Sequence, residues 1–333
     1  MAITLKDVAE KAGVSRSAVS RTFTPGASVS AKTRHLVEKA ASELGYSPNV
    51  LARSLTTRRT SLIGLVSNNF HNPIFLQVFD LFTKGLQARG LRPLLVNLSE
   101  ETDPQNSVRM LQQYSVDGVV VASSTLPPEF AMAFREARMP VVHSFGRYSN
   151  APHVHVVGID NLACGQLAAE ELVARDYKRI GFLGGPAQAT STQDRLAGFE
   201  RELSYRFNIT PEVSYCVDYS FEAGRAKTLE LLAAGEPCEA YFCGDDVISI
   251  GALSALRDYG LGVPDDVGII GLNDMEMAGW ENINLSTIHQ PVQEIINSSV
   301  DLIAGMLDDP ERYPEARLFP CKMIERGTLK PRI

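Results

Sequence analysis

The sequence predicts an all-α head followed by a two-lobed α/β body with parallel sheets. Three observations carry this. The chain has 333 residues, more than one core usually supports. Its net charge is −7, yet residues 1–60 hold ten lysines and arginines against four carboxylates, leaving −13 on the remainder. From residue 61 onward, apolar strand-like runs alternate with amphipathic helical segments, whereas residues 4–45 carry helical spacing alone.

The head begins at Thr4, which stands at capping-box spacing from Asp7, with Asp where Glu or Gln is favoured. Leu5, Val8, Ala9 and Ala12 then fall on one helix face, and Gly13 sits where a left-handed helix end is expected. Ser15 is placed to cap a second helix whose inner face is Val14 and Val19 and whose outer face is Arg16, Ser17, Ser20 and Arg21. After the turn "TPGASVS", Ser30 caps a third helix with the stripe Leu36, Val37, Ala40, Ala41 and Leu44, ended by Gly45. Three short helices, the first two joined at a glycine turn, describe a helix-turn-helix domain. Its second helix would enter a DNA major groove. Arginine forks match guanine O6 and N7, so Arg16, Ser17 and Arg21 are the expected base readers.

In "YSPNVLARSLTTRRTS", Pro48 and Asn49 are helix-start residues. Val50 to Leu55 could make under two turns, too short to be stable alone in water. The residues themselves leave two readings open: a plain linker, or a small helix whose Leu55 wedges into a minor groove beside Arg58 and Arg59.

In the body, "LIGLVS", "LRPLLVN", "DGVVVAS" and "PVVHS" read as buried parallel strands, with Phe75, Val78, Phe79, Phe82 and Leu86 as a helical stripe between the first two. A second series runs "HVVGID", "RIGFLGG", "VSYCVD", "EAYFCGD" and "VGIIGL". "STIHQP" and "RLFPCKMIER" remain as short strand-like pieces that let the chain cross between lobes again. Ligands of open α/β lobes sit at the carboxyl ends of strands. Polar groups gather there: Asn68 to His71, Ser123 and Ser124, Asp160 and Asn161, Thr190, Ser191, Gln193 and Arg195, Asp218 and Tyr219, Asp245 and Asp246, Asn273 and Asp274. As a set they predict a binding cleft.

Other function classes find little support. There is no GxSxG elbow, Walker A loop, HExxH or dinucleotide fingerprint, so no enzyme is expected. The acid pairs Asp245–Asp246, Asp265–Asp266 and Asp308–Asp309 read as caps or turns, and His289 as a structural residue between lobes. The cysteines Cys164, Cys216, Cys238, Cys243 and Cys321 are odd in number, scattered and outside any CxxC, which predicts free buried thiols and neither metal nor cofactor. No apolar run reaches the length of a membrane span and no signal peptide is legible, so a cytoplasmic protein without a membrane partner is expected. The rival class is a solute-binding or sugar-processing protein with an unrelated basic head.

"TLKDVAEKAGVSRSAVSR", "VSAKTRHLVEKAASELGYSPNVLARSL", "RIGFLGGP", "RLAGFEREL", "YFCGDDVISIGALSALRDYGLGVPDDVGIIGLND" and "LSTIHQP", in this order, resemble the lactose-repressor/galactose-repressor (LacI/GalR) family of bacterial transcription regulators. The resemblance covers nearly the whole chain and is most specific in the head. It implies a helix-turn-helix domain at 1–47, a hinge helix and linker at 48–60, and a periplasmic-binding-protein-like α/β effector and dimerisation domain at 61–333. The N-lobe would take about 61–159 and 291–319, the C-lobe about 160–290 and 320–333. The implied partners are a palindromic double-stranded DNA operator, a second copy of the chain (a tetramer is left open) and a small effector such as a sugar, sugar acid or sugar phosphate.

By the same resemblance, Arg16 and Ser17 are the variable pair that sets operator choice, and Arg21 is the family's usual arginine. Thr4, Ser15, Ser20, Thr33 and Arg34 complete the head's DNA-contacting set. Asn49, Ala52, Arg53 and Leu55 fall on the hinge, with Leu55 as the minor-groove wedge. In the cleft, Arg195 would grip the effector, with Phe75, Ser124, Asp160, Ser191, Gln193, Tyr219, Asp245 and Asn273 around it, Tyr219 stacking on a ring. Asn273 departs from the Asp often found at its position, which removes a charge and leaves room for sugar hydroxyls or a less cationic effector. The helical faces Phe75–Leu86 and Val292–Met306 are dimer-face candidates that could equally be core.

Overall fold

The computed structural model describes residues 3–24, 26–47, 59–98 and 103–333. The chain divides into two compact units, residues 1–60 and 61–333. The expected hinge residues Asn49, Ala52, Arg53 and Leu55 lie outside the described residues.

The first unit holds helices α1 (Leu5–Ala12), α2 (Arg16–Thr22) and α3 (Ala31–Leu44). The capping box at the start of α1 is complete: Thr4 Oγ1 accepts from Asp7 N at 3.4 Å and Thr4 N donates to Asp7 Oδ2 at 2.8 Å. Gly13 and Gly45 end α1 and α3 at φ of 66°, where a Cβ would be strained. Val8, Ala9, Val19, Val37, Ala40 and Ala41 form a small core, with Phe23 and Tyr46 closing its edge. The stripe of α3 is narrower than expected. Leu36 is 40% exposed, because Val37 and Ala41 face the core squarely and leave it on the flank.

The second unit contains two six-stranded sheets. One comprises β1 (Leu62–Ser67), β2 (Arg92–Asn97), β3 (Gly118–Ala122), β4 (Val141–Ser144), β5 (His155–Ile159) and β11 (Ala316–Phe319), in the order β11-β5-β4-β3-β1-β2. Its ladders are all parallel. The other comprises β6 (Ile180–Gly184), β7 (Glu212–Tyr215), β8 (Ala240–Cys243), β9 (Gly268–Asn273), β10 (Thr287–His289) and β12 (Lys322–Ile324), in the order β12-β10-β9-β8-β6-β7. Only β12 runs antiparallel there. "HVVGID" thus belongs to the first sheet, since β5 pairs with β4, and not to the second series with which strand order grouped it. "LRPLLVN" is also no fully buried strand. As β2 it lies at the sheet edge, with Leu95 49% exposed.

The chain passes between the lobes three times, after β5, after β10 and between β11 and β12. Helix α4 (Ile74–Ala88) packs on α11 (Val292–Asp308), with Val300 seated on Gly85. Both expected dimer faces are therefore largely core: Phe75, Val78, Phe82, Leu86, Ile295, Ile296 and Ile303 are buried in one apolar cluster. That cluster continues into the C-lobe through Cys164, Phe182, Phe199 and Phe242. The five cysteines are free, and Cys321 is the one not fully buried.

Two glycines set the geometry of the C-lobe. Helices α7 (Asn161–Val173) and α8 (Thr190–Phe207) cross at Gly165 and Gly198. A Cβ on Gly165 would lie 2.1 Å from the Arg195 carbonyl oxygen, and one on Gly198 2.0 Å from the Leu162 carbonyl oxygen. The obstacle in each case is backbone, which cannot rotate away. Gly198→Ala should therefore cost roughly 2–3 kcal/mol and lower the thermal midpoint by about 5–10 °C. Differential scanning calorimetry checks this, and an unchanged midpoint would mean that the helices do not approach so closely.

Candidate nucleic-acid interface and effector cleft

In the head, α2 presents Arg16, Ser17, Ser20 and Arg21 to solvent while Val19 and Thr22 face the core. Ser15 caps the helix, accepting from Ala18 N at 3.2 Å, and its hydroxyl meets that of Ser17 at 2.9 Å. Arg21 leans back on the Ser17 carbonyl at 3.4 Å. Three other head cations are matched, Lys6 with Glu10, Lys11 with Glu43 and Arg34 with Glu38, at 3.6, 2.8 and 4.0 Å, while Lys32 and Lys39 on α3 make no ion pair among the described residues. The Lys11 hydrogen bond holds the Glu43 carboxyl below the usual range, so that pair is ionised at neutral pH. Among the described residues, Arg16 and Arg21 have no carboxylate partner, so uncompensated charge lies on the exposed face of α2. Thr4, Thr33 and Arg34 already hold local structure. Thr4 bonds Asp7, Thr33 bonds Ser30, and Arg34 donates to the Thr22 carbonyl at 3.0 Å, at the end of α2.

In the body, the carboxyl ends of β1, β3, β8 and β9 converge on a cavity of about 30 Å³. Phe75, Ser124, Arg195, Tyr219, Asp245 and Asn273 all line it. Asp245 is the centre. It caps α10 (Asp246–Asp258) through Val247 N at 2.8 Å, and its Oδ2 accepts from Asn273 at 2.8 Å and from Asn72 at 3.0 Å. Asn72 belongs to the N-lobe, so this bond spans the cleft. Burial pushes the Asp245 carboxyl up to about 6, against the hydrogen bonds that favour its charge. The neighbouring Asp246 points elsewhere, accepting from Thr287 Oγ1 and Met275 N, and burial raises it to about 7.

Arg195 is only 4% exposed. Its Nε donates to Asn161 Oδ1 at 2.8 Å and its Nη1 to the Gly244 carbonyl, which hold the guanidinium at the cavity wall. The Tyr219 ring lies on Gly185, where a Cβ would come within 2.3 Å, and its hydroxyl meets Ser191 and Thr192 at 3.1 and 2.7 Å. Asn273 has φ of 123°, a strained backbone for a residue with a Cβ, held by the β9–β10 ladder and by its bond to Asp245. At the rim, Arg147 of the N-lobe forks onto Asp194 of α8, and Thr190 Oγ1 reaches the Ser124 carbonyl at 3.3 Å.

Three predicted residues do not line the cavity. Asp160 caps α7, accepting from Ala163 N at 3.0 Å. Ser191 stands behind Tyr219, and Gln193 donates to the Ala187 carbonyl near the rim. Sequence reasoning missed Asn72, Phe145 and Gln290, which line it. Asn72 lies one residue beyond the polar run after β1, and Gln290 lies in "HQP" where the chain changes lobes.

The comparisons agree with this architecture. Residues 4–49 match the model of bacterial regulatory proteins of the lacI family, and residues 169–329 match a periplasmic binding protein-like domain. The HTH-type transcriptional repressor PurR of Escherichia coli O139:H28 is 31% identical over 331 residues, 98% of this chain and 96% of that protein. The chain belongs to the lacI family. Its fold matches a lac repressor dimer bound to operator and the anti-inducer ONPF, with TM-score 0.89, 28% identity and coverage of 99% and 100%. It also matches the transcriptional regulator CelR in complex with cellobiose, with TM-score 0.73, 27% identity and coverage of 98% and 99%. This lacI-family protein is a ligand-responsive, DNA-binding transcription regulator, and its relatives are repressors. No described helix is long and apolar enough to cross a membrane.

The raised Asp245 carboxyl makes stability depend on pH. Between about pH 4 and 6 the folded protein holds a proton that the unfolded chain releases, so this group's contribution falls as pH rises through that window. Asp245→Asn removes the contribution. Relative to wild type, the variant should gain stability across that window, by up to about 3 kcal/mol at pH 7. Paired melting curves from pH 4 to 8 measure the difference, and a flat difference would place the Asp245 carboxyl in its ordinary range.

Proposed function

We propose that this chain is a cytoplasmic repressor that binds a palindromic operator as a homodimer, through a head at 1–47 and a hinge at 48–60. A sugar or sugar derivative in the cleft controls its operator affinity. The observation that carries the effector reading is the composition of the cavity. One carboxylate and one guanidinium balance in charge, and Asn69, Asn72, Asn273 and Gln290 surround them with amides. Amides and carboxylates match hydroxyl groups, and Phe75, Phe145 and Tyr219 offer faces for the apolar side of a sugar ring. The cellobiose complex of CelR supports the same class. Closing the lobes on such a ligand acts on DNA only as far as the ligand prefers one lobe geometry over another.

On the DNA side, Arg16, Ser17 and Arg21 read bases, with Ser15 and Ser20 beside them. Their exposure and the lack of carboxylate partners on the two arginines support that role. Arg21→Ala should cost roughly 1–3 kcal/mol of specific binding and relax preference at one operator position. Operator selection from a randomised pool reads this, and an unchanged preference would count against α2 as the reading helix.

For the effector, the full chain is screened by thermal shift against sugars, sugar acids and sugar phosphates. A ligand that binds the folded state raises the midpoint by mass action. The Arg195→Ala variant should lose that shift and the effector's influence on DNA retention while keeping operator affinity. A response that survives in this variant places the effector elsewhere.

A further inference from the structure

The first and third passages of the chain between the lobes run side by side. β5 and β11 are parallel neighbours, in register at Ile159 and Phe319, and both chains leave the sheet in the same direction. Cys164 follows Ile159 in the first turn of α7, its N–H on the Asp160 carbonyl at 3.0 Å. Cys321 follows Phe319 and Pro320, just before β12 begins. The register therefore carries two cysteines that are distant in sequence onto one seam, where the Cys164 thiol donates a hydrogen bond to the Cys321 sulfur.

The two thiols are unequal. Cys164 is 1% exposed, whereas Cys321 is partly exposed. The bond from Cys164 holds the Cys321 thiol below its ordinary range, and the Arg195 guanidinium acts in the same direction against the effect of burial. The same bond, together with burial, pushes the Cys164 thiol up. Burial pushes Cys216 and Cys238 up to about 12 and raises Cys243 as well, so these three stay protonated. Of the five thiols, one thus reaches solvent with its ionisation eased, and it has a second thiol beside it. A cysteine of that kind is selectively oxidised, and its neighbour resolves the product. The pair also adjoins the effector cleft. Asn161, one turn before Cys164 on α7, accepts from Arg195 Nε at 2.8 Å.

We propose that Cys321 and Cys164 are a redox site, oxidised by hydroperoxides to a disulfide that fastens the third lobe crossing to α7. The Cys321 thiolate attacks one oxygen of the peroxide. The O–O bond breaks, and the departing hydroxide takes up the proton that Cys321 released, giving water and a sulfenic acid. The Cys164 sulfur then attacks that of Cys321. The S–O bond breaks, the S–S bond forms, and the Cys164 proton leaves with the hydroxyl as a second water. Two thiols lose two electrons and two protons, and the peroxide takes up both. The site is independent of the sugar reading of the cleft.

The test is treatment of the full-length protein with hydrogen peroxide, blocking of the remaining thiols and peptide mapping by mass spectrometry. The wild type should yield the Cys164 and Cys321 peptides joined, lighter by two hydrogens and separated again by dithiothreitol, while Cys216, Cys238 and Cys243 stay reduced. Cys164→Ser should stop at a sulfenic acid on Cys321, which dimedone traps. Cys321→Ser should slow oxidation of the protein about tenfold or more. If the buried Cys164 variant fails to fold, the wild-type map and Cys321→Ser carry the test. The melting midpoint of the oxidised protein should also differ from that of the reduced protein, and dithiothreitol should restore it. The proposal is overturned if excess peroxide yields no Cys164–Cys321 link, if Cys321 links instead to a second copy of the chain, if Cys321→Ser is oxidised as fast as the wild type, or if the linked and reduced proteins melt alike.

Discussion

One buried carboxylate organises the regulatory half of the molecule. Asp245 ends β8, caps α10, and accepts one amide from its own lobe and one from the lobe opposite. A buried ionised group is tolerated only when its oxygens are filled by donors. Here the donors are a helix N-terminus and two asparagines, so local helix capping and the joining of two lobes are the same event. Displace the asparagine of the N-lobe and the charge must find another donor. That requirement couples whatever enters the cleft to the relation between the lobes.

The surroundings keep this carboxylate in place. The strained backbone of Asn273 aims one amide at it, and the reciprocal glycines Gly165 and Gly198 bring α7 and α8 close enough for Asn161 to hold Arg195. Arg195 in turn lowers the cost of charging Asp245. Two opposite charges, both buried and both oriented by neutral amides, give a cavity whose polar groups face aromatic rings and whose charges balance. The head works by the opposite device. There the acids match Lys6, Lys11 and Arg34, and the arginines of α2 stay uncompensated, as do Lys32 and Lys39 of α3.

The parts of this structure legible from the sequence are those set by short-range rules. The caps Thr4, Ser15 and Ser30, the glycine ends at Gly13 and Gly45, and the helical stripes all depend on residues three or four apart, and the chain states them directly. Strand ends located the cleft for the same reason, since a polar residue after an apolar run is a local signal. That signal does not separate a residue that looks into the cleft from one that caps the next helix. Asp160 and Asp245 both cap, and only Asp245 also lines the cavity. Asn72 was out of reach because its partner is 173 residues away. The edge position of β2 was hidden for a related reason: apolar content reports burial averaged over both faces, and neighbouring strands are set by the whole sheet.

The interleaving of the two lobes has a consequence for how the protein is made. The N-lobe sheet is missing β11 until residue 319 has been added, and α11, which covers β3, β4 and β5 and seats Ile303 on Gly118, is not complete until residue 308. Its other strands are finished by residue 159, so during synthesis they wait for about 150 further residues, on the order of ten to thirty seconds at ordinary ribosomal rates. The head, with its own small core, needs nothing beyond its three helices. A nascent chain thus completes its helix-turn-helix head early and its ligand-responsive body last, and a chain that terminates between the two would carry the head without the part that regulates it.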